Sequence, residues 1–133
     1  MTFPTEGMET TRLLVVSEID RSRDWYTQVL GADLYGEYGG TSCVLQLAGA
    51  WLLIVTGGEP TQDKPTVTMT PPHEPDRVSA ELIFRVPDCR ASHETLVDRG
   101  ADFLTPPVEH GSETRAFFRD PDGHLFEISS IAR

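Results

Sequence analysis

Two glutamates, Glu81 and Glu127, each lie in a short apolar stretch that is predicted to form a β-strand. In the later strand, alternation places Glu127 and Ser129 on one face and Phe126 and Ile128 on the other. A carboxylate in an apolar strand needs solvent, a partner or a ligand to offset its desolvation. Such a group, with its pKa raised by burial, can act as a general base next to a carbonyl, and two carboxylates can hold a divalent metal weakly.

A strong turn signal lies directly before Glu127. Residues 120–123 read Asp-Pro-Asp-Gly, in which proline presets φ and glycine accepts the positive φ of a tight reversal. The sequence therefore predicts a hairpin between strands 114–119 and 125–130, and its apolar face is expected to pack on a helix.

The chain repeats one pattern of elements. The first half predicts a strand at 11–16, a helix capped by Asp20 or Ser22 and stopped at Gly31, and strands at 32–37, 42–48 and 50–56. The second half predicts a strand at 80–86, a helix at 89–99 and strands at 102–104, 114–119 and 125–130. Residues 100–103 (Gly-Ala-Asp-Phe) echo residues 31–34 (Gly-Ala-Asp-Leu). Each half is thus a strand, a helix and three strands.

The repeat defines the expected domain organisation. Residues 1–10 lack periodicity and are predicted to be a flexible tail, and 11–133 form a single domain. Its modules span 11–57 and 80–131. The connector at 58–79 holds five prolines, although residues 66–69 could form a short edge strand.

Two motifs resemble the vicinal oxygen chelate superfamily, which includes glyoxalase I, extradiol dioxygenases, fosfomycin resistance proteins and bleomycin resistance proteins. One is the segment from Asp120 to Glu127, and the other is Ser-Arg-Asp-Trp-Tyr-Thr-Gln-Val-Leu-Gly at 22–31. The resemblance implies an α+β fold of two βαβββ modules, whose mixed sheets curl around a shared cavity. It also implies a homodimer.

Superposing the two halves gives four equivalent strand positions. A shift of 70 residues lays Thr11 on Glu81, and a shift of 74 lays Leu53 on Glu127. These positions resemble those at which superfamily enzymes hold a divalent metal with His, Gln or Glu. Because Thr11 and Leu53 depart from that pattern, the usual metal triad is missing, ordinary glyoxalase I activity is disfavoured, and a divalent metal is possible but disfavoured.

Side-chain parity predicts which residues line the cavity. Glu81 and Glu127 are the candidate catalytic residues. The expected ligand-binding residues are Thr11, Trp51, Leu53, Arg85, Arg115 and Phe117. Apolar walls with a few orienting polar groups are typical of a small-molecule site.

Three functions remain open. The first is metal-independent binding of an aromatic or cationic small molecule, with stacking on Trp51 or Phe117. The second is a lyase, isomerase or dioxygenase that uses Glu81 and Glu127, either with a metal or with a carboxylate as general base. The third is an interaction module without a ligand. Alternatively, the charged groups could form internal ion pairs and Trp51 could belong to the core.

Composition excludes several partners. A formal charge of −10 disfavours both nucleic acid and an anionic membrane surface. Residues 1–7 lack the pattern of a signal peptide, so a cytoplasmic location is expected. Cys43 and Cys89 have no CxxC spacing, which predicts reduced thiols without chemistry.

Overall fold

A computed structural model describes residues 2–132 and contains the two predicted modules. The first module consists of β1 (Thr11–Val15), α1 (Ile19–Gln28), β2 (Asp33–Tyr38), β3 (Ser42–Leu47) and β4 (Ala50–Val55). The second consists of β5 (Leu82–Arg85), α2 (Cys89–Asp98), β6 (Asp102–Phe103), β7 (Val108–His110), β8 (Glu113–Arg119) and β9 (Leu125–Ile131). The βαβββ repeat is confirmed, with β7 as an additional short strand.

The two modules build sheets of the same topology. The first sheet has the order β1-β4-β3-β2, and the second has the order β5-β9-β8-β6 with β7 paired to β8. In each sheet the first strand pairs with the last in parallel, and the other pairs are antiparallel. The sheets are therefore mixed, as expected, and neither closes into a barrel.

One hydrophobic core lies on the helix side of both sheets. It contains Leu52 and Ile54 of the first sheet together with Phe126 and Ile128 of the second, and Tyr26 of α1. Trp25 lies 6.3 Å from Phe118 and 6.0 Å from Phe126 between ring centroids, so α1 also covers part of the second sheet. Because the core occupies the helix sides, the opposite side of each sheet is left for other contacts.

The predicted turn at 120–123 ties the modules together. Oδ2 of Asp120 accepts a hydrogen bond from the Tyr26 hydroxyl (2.8 Å). Oδ1 of Asp122 accepts from the Ser17 amide (3.0 Å) and the Ser17 hydroxyl (2.6 Å), just before α1 begins. Nε2 of His124 donates to the Val15 carbonyl oxygen (2.7 Å).

Several local expectations were wrong. Helix α1 begins at Ile19 with Glu18 at the cap position, so neither expected cap, Asp20 or Ser22, holds that place. The buried hydroxyl of Ser22 instead donates to Asp122 (3.4 Å). In the connector, residues 66–69 form only an isolated bridge, from Met69 to Gly58. The first strand of the second module is shorter than 80–86, and β7 was not expected because three residues carry too little periodicity.

Both cysteines are free and buried within the described residues. Burial raises the pKa of each thiol. They behave as small core residues, as expected. No helix among residues 2–132 has the length and apolarity to span a membrane.

Candidate functional site

The face of the second sheet opposite the helices carries most of the predicted site residues, and we call it the charged face. Its two central rows follow from the strand register. Ile83, Glu127 and Phe117 form one row across β5, β9 and β8, and Arg85, Ser129 and Arg115 form the next. Ala116, Phe118, Phe126 and Ile128 on the same strands are buried on the helix side. The parity inferred from alternation therefore holds on β8 and β9.

Glu127 and Glu81 form a carboxyl pair on the charged face. Glu127 is only 6% exposed. Its burial, a hydrogen bond with Glu81 and the charge of Glu81 together raise the pKa of Glu127 to about 7, against the opposing effect of Arg115. Two carboxyl groups in contact share a proton, because both cannot be ionised cheaply at short range. Near neutral pH Glu127 can therefore accept or donate a proton.

Ser129 lies between two arginines and is fully buried. Its Oγ has no hydrogen-bond partner within residues 2–132. Glu113 bridges the arginines, with Nη2 of Arg85 3.4 Å from Oε2 and Nη1 of Arg115 3.6 Å from Oε1. The hydroxyl is covered in this arrangement, so it can hydrogen bond to an oxygen of a bound molecule only when the neighbouring arginine side chains move aside.

Phe117 supplies the aromatic surface of the charged face. It is half-buried, and Cζ of Arg115 lies 5.7 Å from the centre of its ring. This distance is within the range of a cation–π contact, which holds the guanidinium over the ring. A planar ligand would have to share the ring with Arg115.

The corresponding face of the first sheet is apolar, and we call it the aromatic face. The register pairs Thr11 with Trp51 and Leu13 with Leu53. Trp51 contacts Tyr35 edge to face, with ring centroids 5.1 Å apart. The Trp51 indole N–H donates to the carboxylate of Glu9 in the N-terminal segment. Trp51 is half-buried and lies outside the core, so the alternative of a core tryptophan is not supported.

The two faces do not meet within one chain. Leu13 and Ile83, near the centres of the aromatic and charged faces, are 37% and 52% exposed, so neither covers the other. The four equivalent positions are thus brought together in pairs. Thr11 and Leu53 lie on one sheet, and Glu127 lies on the other. Glu81 was expected within a strand but directly precedes β5, which begins at Leu82, and its side chain reaches Glu127 from there.

The residues of the charged face do not fit a tightly held divalent metal. Glu81 and Glu127 are two oxygen ligands, and no group of three or more His, Cys, Asp or Glu side chains converges anywhere in residues 2–132. Affinity for Zn²⁺, Ni²⁺ or Fe²⁺ depends on imidazole or thiolate ligands in such a set. His110 lies exposed on β7, and the ring of His93 packs on the ring of Phe103, with centroids 4.4 Å apart.

Sequence reasoning missed three residues near these faces: Glu9, Tyr35 and Glu113. It placed Ser129 on the face of Glu127 by alternation but did not assign it to the site. The same alternation along β8 places Glu113 with Arg115, so Glu113 could have been found from parity. Tyr35 lies at a register shift between Leu34 and Gly36, where alternation gives the wrong face. Glu9 lies outside the regular elements, and no pattern in the sequence marks it.

The fold and the paired faces define a protein built from two βαβββ modules. The family model of the Glyoxalase/Bleomycin resistance protein/Dioxygenase superfamily matches residues 9–128. The chain therefore belongs to this superfamily, as its two motifs indicated. No curated protein matches the chain.

Solved structures share the fold at low identity. TioX from Micromonospora sp. ML1 has a TM-score of 0.73 and 23% identity over 94% of this chain and 99% of its own. The genomically encoded fosfomycin resistance protein FosX from Listeria monocytogenes has a TM-score of 0.69 and 16% identity over 95% and 94%. TnmS3, an antibiotic binding protein from Streptomyces sp. CB03234, has a TM-score of 0.66 and 21% identity over 94% and 96%. These similarities establish the fold alone.

Proposed function

We propose that this protein binds a small organic molecule between the charged face of one copy and the aromatic face of a second copy, without a metal. The observation that carries the proposal is the separation of the two faces on different sheets of one chain, each with exposed apolar groups at its centre. Exposed apolar surface of this kind is typical of an interaction site. A symmetric pair of copies would cover both faces twice and create two equivalent cavities.

The composition of the faces favours a ligand with an aromatic part and a polar group. Trp51 and Tyr35 would supply aromatic contacts from one copy. Arg85, Arg115 and Ser129 would supply donors from the other copy, and Glu81 and Glu127 an exchangeable proton. An apolar wall with a few orienting polar groups is the usual composition of a small-molecule site. TnmS3, which shares the fold, is an antibiotic binding protein, and this similarity supports a binding role.

The binding function is tested by calorimetry with a panel of aromatic natural products. We expect micromolar or tighter binding of at least one compound, and Trp51→Ala is expected to weaken it at least tenfold, because base-sized aromatic contacts contribute about 1 to 3 kcal/mol. Phe3→Ala is the control, since Phe3 is a highly exposed aromatic residue outside both faces. Equal affinity of the Trp51 variant and the control would overturn the assignment of the site.

The role of metal is tested on the same preparations. Elemental analysis is expected to give less than about a tenth of an equivalent of divalent metal, since two carboxylates alone bind such ions weakly. Ligand affinity is expected to be the same with and without EDTA. A stoichiometric metal, or loss of binding on chelation, would contradict the metal-independent proposal.

A second candidate function is proton transfer catalysis, which the raised pKa of Glu127 favours. Glu127 as the carboxylate would remove a proton from a carbon next to a carbonyl, and Arg85 or Arg115 would stabilise the resulting enolate oxygen. Deuterium exchange into bound carbonyl compounds, followed by NMR, tests this function. Exchange that persists in Glu127→Gln would exclude Glu127 as the base.

A further inference from the structure

A cavity of about 600 Å³ lies where the second module meets the first, mostly on the helix side, and it reaches the edge of the charged face at Ile83 and Arg85. Its walls are β5 and α2 of the second module, the end of α1 and the turn between β3 and β4. We call it the seam cavity. Most of its surface is apolar, from half-buried or buried side chains that include Leu30, Leu47, Leu82, Phe84, Val86 and Leu96.

At the seam the two modules meet through equivalent positions of the internal repeat. Nη1 of Arg99 donates to the carbonyl oxygen of Val29 (3.2 Å). In the repeat, a shift of 70 residues lays Val29 on Arg99, so a position in one module contacts its own counterpart in the other. Each contact between α1 and the second module should therefore have a counterpart between α2 and the first module.

In the first of these contacts, the five-residue turn at 120–124 places two aspartate carboxylates against α1. The Ser22 hydroxyl donates to Asp122 (3.4 Å), Nη2 of Arg21 donates to the same carboxylate (3.2 Å), and the Tyr26 hydroxyl donates to Asp120 (2.8 Å). The turn and its two aspartates fill the space beside α1. This contact is closed by the protein's own side chains.

In the counterpart contact, between α2 and the first module, no carboxylate-bearing turn fills the space beside the helix. Helix α2 presents Ser92 and Leu96 in place of Ser22 and Tyr26, and both line the seam cavity. The turn that faces them has only two residues, Ala48 and Gly49, which adopt positive φ values of 51° and 78°. A turn of this length without a carboxylate cannot reach into the space, so the cavity stays open beside Ser92.

The charge of the cavity wall is opposite to that of the chain. Arg99 and Arg85 are the charged residues of its lining, although Arg85 also pairs with Glu113 of the charged face, and no Asp or Glu of residues 2–132 belongs to the lining. The chain as a whole has 21 acidic and 11 basic residues. An apolar cavity with two guanidinium groups is complementary to an apolar molecule that carries an anionic group.

We propose that the seam cavity binds an elongated apolar carboxylate of the medium-chain fatty acid class. Its carboxylate takes the place beside Ser92 that Asp122 takes beside Ser22. The guanidinium groups of Arg85 and Arg99 supply the positive charge, and the hydrocarbon chain lies along Leu82, Phe84 and Leu96. The seam cavity shares Arg85 and Ile83 with the charged face but uses neither the carboxyl pair nor Trp51, so the proposal does not depend on the function proposed for the two faces.

The test is a titration of the full-length protein with decanoate, below its micellar concentration, followed by calorimetry and by NMR of labelled protein. Saturable binding is expected, with shift changes concentrated at the lining of the seam cavity. Decanol is expected to bind at least tenfold more weakly, because it cannot form charge-assisted hydrogen bonds. Equal binding of decanol, or shift changes elsewhere only, would overturn the proposal.

Four variants assign the site. Ser92→Ala and Arg99→Gln are each expected to weaken binding of decanoate by roughly fivefold to tenfold, the usual effect of losing one hydrogen bond to a charged group. Ala91→Phe, at an exposed position of α2 that lines the cavity, is expected to block it without affecting folding. Arg90→Gln is the matched control, since Arg90 is on the same helix but pairs with Glu109 outside the cavity.

Two further outcomes would also overturn the proposal. Trp51→Ala is expected to leave decanoate binding unchanged, and a loss of binding in that variant would place the fatty acid on the aromatic face. Ala91→Phe is expected to leave the sedimentation coefficient unchanged. A shift of that coefficient toward a smaller species would identify a second copy of the chain as the occupant of the seam cavity.

Discussion

The Tyr26 hydroxyl donates a hydrogen bond of 2.8 Å to the Asp120 carboxylate, and this contact joins the two motifs that mark the family in the sequence. Tyr26 and Asp120 are both buried and are 94 residues apart in the chain. Burial raises the pKa of Asp120, and the hydrogen bond from Tyr26 opposes that rise. Both motifs thus serve to fasten one module to the other.

Tyr26→Phe removes the only side-chain donor to Oδ2 of Asp120 within the described residues. We expect the free energy of unfolding to fall by about 1 to 3 kcal/mol at pH 7, the cost of leaving a buried acceptor unpaired. The loss should be smaller near pH 4, where the carboxyl takes up a proton. Urea denaturation at both pH values measures it, and Tyr38→Phe, at an exposed tyrosine, is the control.

Glu127→Gln is expected to change how stability depends on pH. Glu127 has a pKa of about 7 in the folded chain and about 4.5 when unfolded, so between these values the folded state holds a proton that the unfolded state has lost. This contribution to stability is complete below pH 4.5 and disappears as pH rises through 7. At pH 8 the free energy of unfolding of the glutamine variant should therefore exceed that of the parent by about 1 to 3 kcal/mol, since one pKa unit corresponds to roughly 1.4 kcal/mol.

Thermal and urea unfolding between pH 4 and 8 measure this difference. Glu94→Gln, at an exposed position of α2, should give a curve parallel to that of the parent. If the curve of stability against pH for Glu127→Gln were also parallel to that of the parent, Glu127 would not hold a proton at neutral pH.

Ser129→Ala is expected to be neutral or to stabilise the fold by up to about 1.5 kcal/mol, because a buried hydroxyl without a partner is removed. The neighbouring Ser130→Ala should instead destabilise by about 1 kcal/mol, since Oγ of Ser130 accepts from the Cys89 amide (3.0 Å). Chemical denaturation compares the two. Weaker ligand binding by a fully stable Ser129→Ala variant would identify its hydroxyl as a ligand donor, whereas marked destabilisation would mean that it has an internal partner.

Ile83→Arg is expected to weaken self-association without unfolding the chain. Ile83 is 52% exposed, so a charged side chain can remain solvated in the single copy but would be desolvated between two copies. Sedimentation velocity over a range of concentrations measures the shift toward monomer. Val97→Arg, at a similarly exposed position on α2, should leave association unchanged. Identical sedimentation of the two variants would count against pairing through the charged face.

Local patterns in the sequence were sufficient to predict the two modules and the face of the strand on which a side chain lies. Glu127 and Phe126 take opposite faces of β9 because the period of two is a property of the backbone. Alternation failed at Tyr35, where the register shifts, and cap rules failed at Ser22, whose hydroxyl is used by a turn 100 residues away. The relative placement of the sheets depends on such distant contacts, which leave no periodic signal.

The separation of aromatic and ionisable groups onto different sheets allows complementation between defective chains. In a symmetric pair, Trp51→Ala alters the aromatic face of each cavity, and Glu127→Gln alters the charged face. A mixed pair of the two variants would contain one cavity with both defects and one that is fully intact. Random exchange between equal amounts of the two inactive preparations makes half of the pairs mixed, so binding should return at one ligand per mixed pair, or about one per four chains of the whole sample. No arrangement of self-contained sites can produce this recovery.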